Sequence, residues 1–192
     1  MTNEDQKISQ SILDFWFGAP ESDTYGNSRM EWFKKDDGFD EQIRTLMLAP
    51  YERAARGEFD HWCHDTYSAL ALIILLDQAP RNLFRNSPQT FATDTKARDI
   101  ALHVVSMGLD QVLLPVMRTF VYLPFEHSET MADQNLSVKL FKQSGPEAML
   151  PYACQHREII DRFGRFPHRN EVLGRTSTPE EFAFLNQPNS SF

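Results

Sequence analysis

Residues Asp161 to Asn170 read D-R-F-G-R-F-P-H-R-N, placing three arginines and a histidine among two phenylalanines, a glycine and a proline. Guanidinium groups grip carboxylates and phosphates through paired hydrogen bonds, and imidazole exchanges protons near neutral pH. Together they suit a small anionic ligand, with Arg165 and Arg169 as the clamp and His156 or His168 as general acid or base. Such a histidine needs a carboxylate to orient it, and Glu129 and Asp77 are the candidates. The chain's net charge is −8, yet five of its 13 arginines lie between positions 157 and 175, against three acids there.

Helical spacing suggests how these groups could meet. Over Glu147–Phe163 the apolar stripe runs Tyr152, His156, Ile159, Ile160, Phe163, which turns His156 inward. Asp77 shares a stripe with Leu70, Ile73 and Ile74, and Arg118 shares one with Leu114, Val121 and Tyr122. An ionisable group on a buried stripe must be paired, because an unpaired buried charge costs several kcal/mol at least. The stretch L-P-F-E-H-S-E (Leu123–Glu129) reads as a loop offering partners. The Phe163–Asn170 loop, stiffened by Pro167, would project Arg165, His168 and Arg169 together. The expectation is one polar cluster: His156, His168 and Glu129 as catalytic groups, and Arg118, His127, Arg165, Arg169, Asp77 and Gln78 as ligand-binding groups. Plainer readings stay open beside it. Buried Arg–carboxylate pairs can simply tie helices to a loop, and Ser128 could N-cap the following helix with Glu129 in its first turn.

Other chemistries find less support. His61-Trp62-Cys63-His64 offers three potential metal ligands within four residues, but zinc sites usually draw a second ligand pair at a set distance, and the sequence shows none. A metal on His127, Glu129 and His156 would need His168 or water as a fourth ligand. No metal and no cofactor is therefore expected. Cys154 and His156 are two apart on a helix and do not face each other, so a Cys-His dyad is not expected. The sequence has no phosphate-cradling glycine loop, serine elbow or dinucleotide fingerprint.

The elements that must position these residues are helices nearly throughout. Ile8, Ile12, Phe15 and Trp16 set an opening amphipathic helix stopped by Gly18 and Pro20. Phe39, Ile43, Leu46 and Met47 mark a second, which Pro50 should kink or restart. Thr66–Gln78 is apolar almost all round and reads as the central buried helix. Ala97 to Val105 forms another, closed by Gly108, and Pro115 opens the next. Met131–Gln143 and Glu147–Phe163 follow, the latter ended by Gly164. Thr178-Pro179-Glu180-Glu181 is a capping-box start. About eight helices and no alternating segment make the chain all-α.

A length of 192 residues fits one domain with polar tails at about 1–7 and 187–192. The longest apolar run, Ala69–Leu76, is far short of the roughly 20 residues that cross a bilayer. The N-terminus has no signal-like layout, and the two cysteines give no disulfide framework, so a cytoplasmic location is expected. Overall acidity argues against binding duplex nucleic acid. Oligomeric state leaves no mark in the sequence.

The segments L-D-F-W-F-G (Leu13–Gly18), L-A-L-I-I-L-L-D-Q-A-P-R-N-L-F-R (Leu70–Arg85), Y-L-P-F-E-H-S-E (Tyr122–Glu129), F-G-R-F-P-H-R-N (Phe163–Asn170) and L-G-R-T-S-T-P-E-E (Leu173–Glu181) resemble a bacterial family called domain of unknown function 924. The similarity runs from about Leu13 to Leu185. Ala79 stands where the family usually has Phe, and Pro50 interrupts a helix. The resemblance implies an all-helical arrangement similar to tetratricopeptide-like stacks, and it brings no activity or catalytic residue. Stacks of that kind bind extended peptides in grooves, which keeps a peptide-interaction module open beside the anionic ligand. No internal 34-residue repeat is present.

Overall fold

Helical periodicity is realised along the chain in the computed structural model, which describes residues 1–188 and 190 and holds no strand among them. Helix α1 (Asn3–Phe17) starts in a capping box between Thr2 and Asp5 and buries Ile12, Leu13, Trp16 and Phe17. Residues 3–7 are thus helix rather than tail; the tail expected from about 187 lies partly outside the described residues. Helix α2 (Asp37–Ala55) runs through Pro50 without restarting. Its inward stripe of Phe39, Ile43, Met47, Tyr51 and Ala54 is buried on both sides of the proline, and this packing outweighs one missing hydrogen bond.

The central element is interrupted. Helix α3 (Thr66–Ile73) passes into a π-helical turn (Ile74–Gln78) and then into α4 (Ala79–Leu83), with every residue from Ala69 to Ala79 buried. Pro80 supplies a physical reason, since it has no N–H to give the carbonyl of Leu76. That carbonyl instead accepts the Thr93 hydroxyl at 2.5 Å, and the carbonyl of Asp77 accepts Arg81 Nη1.

Helix α5 (Asp94–Ser106) ends before Gly108, which is left-handed at φ 69°. Helix α6 (Pro115–Glu126) extends through Pro124, so half of the expected Leu123–Glu129 loop is buried helix. Helix α7 (Met131–Ser144) is capped by Thr130 rather than Ser128. Helix α8 (Leu150–Phe163) follows a short 3-10 turn, Glu147–Met149, and Gly164 closes it in the left-handed conformation. Tyr152 sits in its first turn, before the packed part begins at Ala153, and is 51% exposed instead of lining the stripe. Helix α9 (Pro179–Leu185) starts in the expected capping box of Thr178 and Glu181.

Counting α3, the π turn and α4 as one gives eight helices among the described residues. One apolar core is drawn from α1 through α8, and a satellite of Ile159, Ile160 and Phe166, with Met131, Phe163 and Phe184 against it, lies under the C-terminal segment. Among the described residues no helix is long and apolar enough to cross a membrane.

Candidate functional site

Asp77 is fully buried at the end of the π turn, and its burial is compensated from three directions. His127 Nδ1 lies 2.8 Å from Oδ1, Gln78 Nε2 donates to Oδ2 at 2.5 Å, and Arg81 Nη1 stands 3.6 Å from Oδ1. Burial alone would raise the Asp77 carboxyl, but the charge of Arg81 and the bond to His127 outweigh it and hold Asp77 ionised. An ionised carboxylate only accepts, so His127 carries its proton on Nδ1 and keeps a lone pair on Nε2. Burial, then the Arg81 charge, lowers the His127 pKa and keeps the imidazole neutral near pH 7.

Arg81 continues outward, donating from Nη1 and Nη2 to the two carboxylate oxygens of Asp94 at 3.0 and 3.2 Å. Arg169 meets the same carboxylate more loosely, Nη1 to Oδ2 at 3.5 Å, and donates from Nη2 to the His127 carbonyl at 2.9 Å. Its guanidinium lies between the rings of Phe91 and Phe166, 4.5 and 4.6 Å from their centroids. Arg169 Nε is buried with no hydrogen-bond partner among the described residues. Burial, reinforced by the Arg81 charge, brings Arg169 down to about 10, so it stays cationic at neutral pH. Arg169 is only 7% exposed, whereas the side chains of Arg81, Asp94 and His127 are 21, 17 and 14% exposed and form the rim of the cluster.

A second carboxyl lies behind His127. Glu126, at the last position of α6, is 2% exposed, and burial followed by the Asp77 charge pushes its pKa up to about 8. It is therefore a neutral acid near pH 7. His156 Nδ1 lies 3.2 Å from Glu126 Oε1 and 2.9 Å from the Tyr152 carbonyl, which fixes the His156 proton on Nδ1. Burial drives His156 down to about 3 and His168 down to about 4, so both rings are neutral. The rings of His156 and His168 each lie 5.6 Å from the Phe166 ring, which ties them to the Arg169 side of the cluster.

Of the residues expected to converge, Asp77, Gln78, His127, His156, His168 and Arg169 come together. Three do not. Arg118 donates to the carbonyls of Asp110, Leu113, Gln111 and Ser144, tying the start of α6 to the end of α7, because it sits two turns before the buried end of its helix. Arg165 turns to Glu181, with contacts of 2.6 and 2.8 Å, so Arg165 and Arg169 do not project as a pair. Glu129 precedes α7 instead of lying in its first turn. It accepts the Phe166 N–H at 2.8 Å and a two-point contact from Arg175 at 2.7 and 3.0 Å. This binds the C-terminal loop, and Glu129 does not join His127 and His156 as a metal-binding set among the described residues.

Arg81, Asp94, Glu126 and Arg175 were not singled out from the sequence. Two signals could have found the first and third: Arg81 lies four residues after Asp77, and Glu126 adjoins His127. The sequence model of the family described as "Bacterial protein of unknown function (DUF924)" matches residues 12–189. The chain belongs to this family. It is also similar to a solved structure, that of a protein of unknown function, ATU0120, from Agrobacterium tumefaciens. Identity is 40%, the match covers 94% of this chain and 98% of that one, and the TM-score is 0.84. No curated protein matches the chain. The solved structure shares the helical fold, and neither description names an activity.

Proposed function

We propose that this protein binds a small carboxylate- or phosphate-bearing ligand beside Arg169, and that the Asp77–His127 pair exchanges a proton with it. The observation carrying this reading is the buried Asp77 carboxylate held 2.8 Å from His127 Nδ1, which leaves Nε2 as the base while Arg169 keeps an unsatisfied Nε. A carboxylate that fixes the tautomer of a neutral imidazole is the arrangement general-base chemistry requires. The π turn beneath it fits, because such turns are frequent at functional sites. Glu126, protonated near pH 7, could serve as the acid paired with that base.

The outer pairs favour a second, purely structural reading for part of the expected set. Arg165–Glu181, Glu129–Arg175 and the Arg118 contacts have their donors directed at the protein itself. We assign these to holding the C-terminal segment and the α6–α7 connection.

A thermal-shift panel of inorganic phosphate, sulfate, acetate, succinate, citrate and a nucleoside monophosphate tests the proposal. At least one should stabilise the parent protein, by roughly 5–10 °C at about 100 times its Kd. The shift should vanish in Arg169→Gln and persist in Arg165→Gln, with circular dichroism confirming that each variant folds. A panel with no stabilising anion, or a shift surviving in folded Arg169→Gln, would contradict it.

A further inference from the structure

A second cluster of ligand-type side chains lies elsewhere, between the turn before α3 and the end of α5. Cys63 and His64 stand on a 3-10 turn, Asp60–His64, and His103 stands in the last turn of α5. One potential ligand atom from each of the three lies within 4.8 Å of the others. The second ligand element missing from the sequence around His61-Trp62-Cys63-His64 is thus supplied in space by a residue 39 positions further on.

The scaffold holding them is firm. Trp62 is fully buried and stacks on Phe59 with ring centroids 4.2 Å apart, which anchors the turn from inside. Lys96 on α5 reaches Asp60 at 2.6 Å and the Ala54 carbonyl at 2.8 Å, clipping turn and helix together. His61 is occupied by Asp5 at 3.1 Å, whereas no hydrogen bond or ion pair among the described residues engages the side chains of Cys63, His64 and His103. The rings of His64 and His103 lie edge to face, 5.7 Å apart. Around a tetrahedral zinc, ligand atoms stand about 3.4–3.6 Å apart, and the three candidate atoms already lie within 4.8 Å of one another.

We infer that Cys63, His64 and His103 form a zinc site with three protein ligands and a fourth position open to water. One thiolate and two imidazoles make a borderline-soft set that selects zinc over magnesium or calcium. Binding converts the Cys63 thiol to thiolate and releases its proton to solvent, with no change of oxidation state. The ion would lock the Asp60–His64 turn to α5.

Untagged protein, stripped with chelator and kept reduced, is titrated with Zn²⁺ and separately with Co²⁺. The expected result is one equivalent bound, a thiolate-to-cobalt charge-transfer band, tetrahedral visible absorption and a raised melting temperature. Cys63→Ser should abolish the charge-transfer band. His103→Gln should weaken binding at least about tenfold, because even outer-shell changes cost that much. His61→Ala should bind as the parent does, and circular dichroism confirms that every variant is folded. Absence of stoichiometric binding, a cobalt complex without the thiolate band, or unchanged affinity in His103→Gln would each overturn the assignment.

Discussion

Burial raises the Glu126 carboxyl far above its ordinary value. Its unfolded carboxyl titrates near 4.5 and its folded one near 8, so the folded state holds a proton that the unfolded chain has lost across that interval. The contribution of Glu126 to stability is therefore present below about pH 4.5 and drains away as pH rises to about 8, at about 1.4 kcal/mol per unit. His156 and His168 act oppositely, losing stability as pH falls from 6.5 towards about 3 and about 4. Glu126→Gln removes only the first effect. Urea unfolding across the interval should show the variant gaining on the parent by on the order of 2–4 kcal/mol as pH rises, and parallel curves would refute the buried neutral acid. His156 and Asp77 were readable from their stripes because burial follows helical period. The protonation of Glu126 was not, since it depends on neighbours from other elements.

Helices declare themselves through periodicity and caps, and most boundaries follow: Gly18, Gly108, Pro115, Gly164 and Thr178 all act as expected. The misses have a common cause. Pro50 does not restart its helix, Pro124 stays inside one, and the π turn interrupts an apparently uniform segment, because packing decides whether a lost hydrogen bond is tolerated. Ser128 was likewise displaced by Thr130 as the cap, leaving Glu129 to face Arg175. Helix α9 offers a clean test of what caps contribute. Glu181 accepts Arg165, the Thr178 N–H and Asn170 Nδ2 together, and its usual carboxylate range is shifted down to about 2, chiefly by the Arg165 bond. Glu181→Ala should cost about 2–4 kcal/mol in denaturant unfolding and loosen Phe184 from Phe163; a loss below about 0.5 kcal/mol would show that α9 is not held this way.

The polar cluster exists because distant segments are brought to one place. The π turn supplies Asp77, the end of α6 supplies Glu126 and His127, α8 supplies His156, and the loop beyond it supplies His168 and Arg169. Glu129–Arg175 and Arg165–Glu181 then bind that loop down. Most of these segments are legible in the sequence, but the inner groups cannot be told there from the outer bolts, because charge pattern alone does not show which arginine faces in. NMR of the His127 imidazole nitrogens, followed while inorganic phosphate and then succinate are added, examines the inner group at once for base and ligand. The expected spectrum shows Nδ1 protonated and Nε2 bare at neutral pH, with Nε2 shifting on saturation by one of these anions in the parent protein but not in Arg169→Gln. A proton on Nε2 in the free protein, or an imidazole that responds to neither anion, would contradict the proposed role of His127.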